Sequence, residues 1–397
     1  MRRLLSALLC LLLLSATGCW SRVEISDLAI VGLVGIDRTP EGEIELWINV
    51  VVPARAGGAP GAGMPAGQPG NPFITLNARG KTILHAATRL QRELPRRLFW
   101  AHARAILLGE SLVRHGSLPA VDFLTRHREL RLTNYVLVVR GNVEEIMSAP
   151  VDLERLPSEY VREIERSRIV PVSTMRDLVE SMASTGADPL LAVTDRSEPP
   201  DGAPPGQRPG VRVSGAALFR KDKLVDYVGE EITQGILWLR GEARVGLVTV
   251  TVPGVPGNIS VEWLYASVNR TARLENGRPV IYVQVRTEGD VAEEQAPLDV
   301  GDTEQLRLVE RQLRQEIKDR MQRALKTMQS LNVDTAGLGE EIHRHLPAVW
   351  QRMEKRWHDD GFRNVKVIVS VEAHIRRTGL SSQPQGIPEN ELMKGRE

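Results

Sequence analysis

A chain of 397 residues, 42% hydrophobic and 25% charged, is long enough to build two or three domains with real cores. Its 51 basic residues face 50 acidic ones, a balance that argues against a nucleic-acid partner and against a polybasic membrane clamp. Two cysteines leave no material for a disulfide framework.

The chain opens with Arg2 and Arg3, followed by an apolar run from Leu4 to Leu14. That run is shorter than the roughly 20 residues a membrane-spanning helix needs, and it has the length of a signal-peptide core. Ser15, Ala16, Thr17 and Gly18 are small and lead directly to Cys19. Small residues let the chain lie extended in a narrow protease site. The pattern resembles a bacterial lipobox, with Ala16 where Leu is the commonest choice. Residues 1–18 are therefore expected to be a lipoprotein signal peptide, cleaved after Gly18. Cys19 would then carry an S-diacylglyceryl group and an N-acyl chain. Cys10 leaves with the signal, so Cys19 has no internal disulfide partner. Cleavage also removes Arg2 and Arg3, taking the 51 basic residues to 49 against 50 acidic. The lipid must then do the anchoring, with burial worth about 0.8 kcal/mol per methylene.

Residues 19–197 read as an α+β region that could split into two subdomains. Glu43 to Val52 alternates and is rich in β-formers, and the turn Thr39-Pro40-Glu41-Gly42 pairs it with Ala29 to Asp37 as a hairpin. Residues 53–72 hold five Pro and six Gly, too little side chain to pack, and predict a flexible loop. Ile83, Leu84, Ala87, Leu90 and Leu94 recur at helical spacing within Gly80 to Leu94. Arg97 to Leu108 and Leu132 to Val139 predict extended chain. Short helices are expected around Val143 to Ser148, Ser158 to Glu165 and Ser173 to Ala183. The succession lacks a regular βαβ alternation, so a doubly wound sheet is not expected. Residues 198–210 hold five Pro and three Gly and predict an interdomain linker.

Residues 211–379 then form a second α+β domain. Val211 to Val228 reads as a hairpin turning near Lys221-Asp222. Val245 to Val252, Ile259 to Asn269 and Val280 to Thr287 are predicted strands. Thr303 to Gln329 is the strongest helix, with Leu306, Val309, Leu313, Ile317, Met321, Leu325 and Met328 on one stripe. A second helix spans Pro347 to Asp359, with Pro347 in the first turn. Asn364 to Ile375 alternates as a half-buried strand. The expected fold class is α+β and multi-domain, with a C-terminal antiparallel sheet covered by helices on one face. A polar face on the other side of that sheet would be a candidate docking surface. Residues 380–397 read as a flexible tail.

Catalytic chemistry finds little support. No Gly-x-Ser-x-Gly elbow, P-loop or His-Glu-x-x-His is present. Gly337-Leu338-Gly339-Glu340-Glu341 lacks a third glycine, and its acids would repel a phosphate; a loop and acidic helix start is the plainer reading. His343 and His345 lie two apart on a helix and cannot easily share a metal. His358, Asp359 and Asp360 cannot all converge on one centre. His102, within an apolar stretch, reads as a hydrogen-bonded core histidine. The charged run Arg126 to Arg131 reads as a solvated helix end or an interaction patch. No catalytic, cofactor or metal residue is assigned.

The ordered pieces nonetheless resemble a known family. Cys19-Trp20-Ser21-Arg22-Val23-Glu24-Ile25 and Leu28-Ala29-Ile30-Val31 resemble the mature start of the Ger(x)C spore germination lipoproteins. The likeness continues through Gly35-Ile36-Asp37, Gly80-Lys81-Thr82-Ile83 and Leu98-Phe99-Trp100-Ala101-His102. It extends through Ser214-Gly215-Ala216-Ala217-Leu218-Phe219 and Lys223-Leu224-Val225 to Asp334, Gly337, Gly339, Trp350 and a last strand ending at Gly379. Ser21 replaces a common acidic residue, and the 53–72 stretch looks specific to this chain. The resemblance implies a three-domain α+β body and a role rather than a reaction. That role is the C subunit of a nutrient germinant receptor, partnered by two integral membrane subunits and held by lipid on the outer face of the spore inner membrane. A solute-binding lipoprotein feeding a transporter is the alternative, and it requires two similar α/β lobes around a cleft. A lipid-anchored hydrolase is a third, and it requires a clustered nucleophile or metal.

Overall fold

The computed structural model describes residues 24–52, 71–149, 156–197 and 210–377. The signal peptide, Cys19, most of the 53–72 loop, all but the last residue of the 198–210 linker and the 380–397 tail lie outside the described residues.

The predicted first hairpin forms from β1 (Leu28–Arg38) and β2 (Ile44–Val51), which run antiparallel. Gly42 closes the turn at φ +88°, a value that costs glycine little. β3 (Phe73–Gly80) extends the sheet beyond β2, and Thr82 then caps α1 (Ile83–Glu93) by accepting the His85 N–H. The extended stretch from Arg97 divides into β4 (Arg97–Phe99) and β5 (Ala105–Gly109), both parallel to β1. α2 (Glu110–His115) and α3 (Leu118–Arg126) lead to β6 (Tyr135–Val139). α4 (Val143–Met147), α5 (Pro157–Ser167) and α6 (Met175–Ala183) lead to β7 (Leu190–Ser197).

β5, β6 and β7 are mutually parallel, so the centre of this sheet is a parallel core. The order β3-β2-β1-β5-β6-β7-β8-β9 never reverses between its parallel strands, and the sheet is not doubly wound. Both faces are covered. Val34, Ile36, Ile106 and Leu108 face α1, α2 and α3, while Leu33, Leu107 and Leu137 face Val143, Ile146 and Met147 of α4. Strands buried on two faces read as unbroken apolar runs, which is how Ala105–Gly109 and Tyr135–Val139 look in sequence.

β8 (Gly210–Arg220) and β9 (Lys223–Val228) form the predicted second hairpin. β8 pairs with β7, so this hairpin belongs to the first sheet. The sheets therefore divide the chain at α7 (Glu230–Arg240), later than the Pro/Gly stretch at 198–210.

The second sheet has the order β10-β11-β12-β13. β10 (Gly246–Val250), β11 (Ile259–Glu275) and β12 (Arg278–Glu294) are antiparallel as expected. β13 (Lys366–Arg377) corrects the all-antiparallel expectation, because it runs parallel to β12. The cause is α8 (Thr303–Leu331). A strand followed by a long helix lying back along the sheet must re-enter parallel. Val309, Leu313, Ile317, Met321 and Met328 of α8 are all buried against the sheet, with Leu306 and Leu325 partly so. α9 (Leu338–His345) precedes α10 (Pro347–Met353). The helix predicted to reach Asp359 stops at Met353, and a 3-10 turn and a π turn put Trp357 in the core before α11 (Phe362–Asn364).

α7 joins the units, packing with Leu190, Ala216 and Leu218 of the first sheet and crossing α8. A Cβ on Gly235 would stand 2.4 Å from the Arg320 carbonyl oxygen and 2.7 Å from the Ala324 Cβ. Gly235→Ala should therefore cost about 1–3 kcal/mol in urea unfolding of the full chain, the usual penalty for over-packing. An unchanged midpoint would contradict this crossing.

Candidate functional site

The residues singled out in sequence disperse. His102 is exposed on the turn after β4, its ring 5.6 Å from that of Phe99, which corrects the reading of a core histidine. The apolar run bends at this point, so the histidine leaves the core. His345 Nδ1 lies 2.9 Å from the Glu341 carbonyl oxygen, and the His343 ring stacks 6.0 Å from Trp350. His358 sits beside Asp188 while Asp360 pairs with Arg356 at 2.5 Å. No group of three His, Cys, Asp or Glu side chains among the described residues could hold a metal ion. Glu129 in the charged run is engaged locally, accepting from Arg97 at 2.6 Å and the Trp100 N–H at 2.9 Å.

The Gly337–Glu341 stretch is the informative one. Gly337, at φ +67°, opens α9, and the N–H groups of Leu338 and Gly339 point out of its first turn. A phosphate could use such donors, but an internal carboxylate already does. Asp334, fully buried, accepts from Leu338 at 2.9 Å and Gly339 at 2.8 Å, and Trp357 Nε1 donates to it at 3.1 Å. The helix start is satisfied from within the fold.

Asp334 also reaches the first sheet. Its own N–H donates to Asp188 Oδ2 at 2.8 Å, and the Asp188 N–H donates back to the Asp334 carbonyl at 2.8 Å. Asp188 stands just before β7. Beside this pair, Gly186 and Gly339 meet backbone to backbone: a Cβ on Gly339 would lie 2.7 Å from the Gly186 Cα. Three arginines from three elements collect the carbonyls of the segment between α8 and α9. Arg220 of β8 donates to Leu331 at 3.0 Å and to Asn332, Arg240 of α7 to Thr335 at 2.6 Å, and Arg270 of β11 to Ala336 at 2.8 Å. Arg270 also pairs with the fully buried Glu341 at 2.7 Å. The segment from Leu331 to Glu341 is a joint, built to fasten one sheet to the other. It presents a bonded scaffold with no nucleophile poised by a base.

Burial pushes the Asp334 carboxyl up to about 7, against the pull of its backbone and Trp357 donors. Burial raises Asp188 as well, opposed by the neighbouring His358. Away from the joint, the outward face of the second sheet is polar. Gln284 and Ser370 lie exposed there, and Arg286 pairs with Glu372 at 2.8 Å.

Comparison with known proteins fits this architecture. The chain matches the family model "Spore germination protein N-terminal domain" over residues 21–195 and "Spore germination B3/ GerAC like, C-terminal" over residues 214–379. It is 30% identical to the putative spore germination protein YfkR of Bacillus subtilis (strain 168) over 381 residues, covering 95% of this chain and 96% of that one. The chain belongs to the Ger(x)C family of spore germination proteins. It is also 25% identical to spore germination protein KC of the same organism, over 96% of this chain and 97% of the relative. A solved structure titled "Crystal Structure of the GerBC protein" shares the fold, with a TM-score of 0.56 at 21% identity over 86% of this chain and 96% of that chain. The two Ger(x)C models stop and start on either side of the Pro/Gly stretch, although β7 and β8 pair across it. Asp334, Gly337 and Gly339, recognised by resemblance, belong to the joint, and the Trp350 ring packs beside Gly339. Asp188 and the three arginines were missed, since only the folded contact marks them.

The sign of the pH effect follows from Asp334. Between its unfolded value of 3.8 and about 7, the folded chain holds a proton that the unfolded chain has lost. Stability should therefore fall as pH rises through that window. Asp334→Asn should flatten the slope seen in urea unfolding and cost about 1–3 kcal/mol by leaving a donor unpaired. A slope identical in the variant would contradict the assignment.

Proposed function

We propose that this protein is the lipid-anchored, non-catalytic subunit of a spore germinant receptor, required for nutrient-triggered germination. The observation that carries the reading is the family match over both halves of the chain, with relatives named as spore germination proteins. Cys19, modified after cleavage behind Gly18, is the proposed anchor, and two integral membrane subunits are the proposed partners. The body would then lie on the outer face of the spore inner membrane. Among the described residues no helix is long and apolar enough to cross a membrane. The polar face of the second sheet is the proposed docking surface. The rival transporter-linked binding protein calls for two similar lobes, whereas the two sheets differ in strand number and order.

Deletion of the gene should abolish or slow the germination response to at least one nutrient; unchanged responses to every germinant, with no paralogue present, would sink the reading. Cys19→Ala should slow the same response by lowering the local concentration of the body at its partners. The exported variant should keep its thermal midpoint. A misfolded Cys19→Ala protein would show that the lipid serves the fold instead.

A further inference from the structure

A cleft of about 630 Å³ opens in the first domain, away from the joint. It lies where β1 ends at Arg38 beside parallel β5, whose end passes into α2. Clefts of about 300–1,000 Å³ suit small molecules. Two sequence stretches that play no part in the joint meet here: Lys81-Thr82-Ile83 from one wall and Arg126-His127 from the other.

The walls are apolar, formed by Ile44, Ile83, Leu84, Leu112, Pro119 and Phe123, and Leu84 is 59% exposed. Arg38 and Lys81 line the cleft as well, as do Arg126 and the carboxylate of Asp122. Among the described residues neither Arg38 nor Lys81 has a carboxylate within ion-pair reach, whereas nearby Arg126 is held by Asp122 at 2.8 Å and Arg79 by Glu45 at 2.9 Å. The Arg38 guanidinium lies against Gly42, where a Cβ would stand 3.2 Å from Arg38 Nη2. The eleven-residue helix α1 also starts at this cleft. Thr82 takes the N–H groups of His85 and Ala86, and those of Ile83 and Leu84 have no partner among the described residues. His127, wedged between Trp100 and Phe123, keeps its Nδ1 buried without a hydrogen bond. Burial lowers its pKa, so the imidazole contributes no charge at neutral pH.

We propose that this cleft binds a small carboxylate bearing an apolar group, its charge held by Arg38 and Lys81 and its body lying on Ile83, Leu84 and Phe123. Two unpaired cations and free N–H groups at a helix start favour an anion, and the surrounding walls select one with little further polarity. The proposal needs no partner subunit and stands apart from the receptor reading.

Calorimetric titration of the full chain in lipid nanodiscs tests it, using benzoate, isovalerate and hexanoate with the matching amides as uncharged isosteres. At least one carboxylate should bind saturably, and its amide about tenfold more weakly or worse. Arg38→Gln and Lys81→Gln should each bring the carboxylate down toward the amide, with thermal midpoints unchanged. Leu84→Asp should weaken acid and amide alike. No saturable binding by any of the three acids would overturn the proposal, as would equal binding of acid and amide or indifference to both charge substitutions.

Discussion

The architecture depends on one buried carboxylate. Asp334 closes the first turn of α9, receives the indole N–H of Trp357, and through its backbone exchanges two hydrogen bonds with Asp188. Burying a carboxylate is costly unless its oxygens are bonded, and here two donors come from the first turn of α9 and the third from Trp357. The close pairing of Gly186 with Gly339 follows from this, since any side chain would hold the two backbones apart. The three arginines that collect carbonyls between Leu331 and Ala336 complete the connection. Together they tie a nine-stranded sheet to a four-stranded one.

Such a connection suits the proposed role of a non-catalytic receptor subunit. On that reading, a protein that couples partners at a membrane has to hold its surfaces in fixed relation. The proposed lipid at Cys19 sets where the body stays, and the joint sets how its two halves face. The polar outer face of the second sheet is left open by α8, which packs along the opposite side. Asp334, Gly337 and Gly339, which carry part of the resemblance to the family, are residues that fasten.

Local features were legible before the fold was known. The α8 stripe, the two hairpins and the alternation of β13 all follow from periodicity, because each is decided by which face meets the core. Long-range relations were not legible. The direction of β13 depends on the return path of α8, and the membership of the 210–228 hairpin depends on pairing across the Pro/Gly stretch. His102 was misread because a run of apolar residues gives no sign of the turn that carries it outward. α2, α3 and α7 went unpredicted, their apolar residues being divided between sheet and helix contacts. Neither Asp188 nor the strand β7 that follows it is read from the sequence, and only the exchange with Asp334 gives Asp188 meaning.

Amide hydrogen exchange on the full chain tests the central claim most directly. The N–H groups of Asp334, Leu338 and Gly339 donate to buried carboxylates, so they should exchange as slowly as those of β5 in the first core. Asp188→Ala should speed the Asp334 amide and leave β5 unchanged. Exchange at these three positions as fast as at the exposed Asn276–Gly277 turn would mean that the joint does not hold the two sheets together.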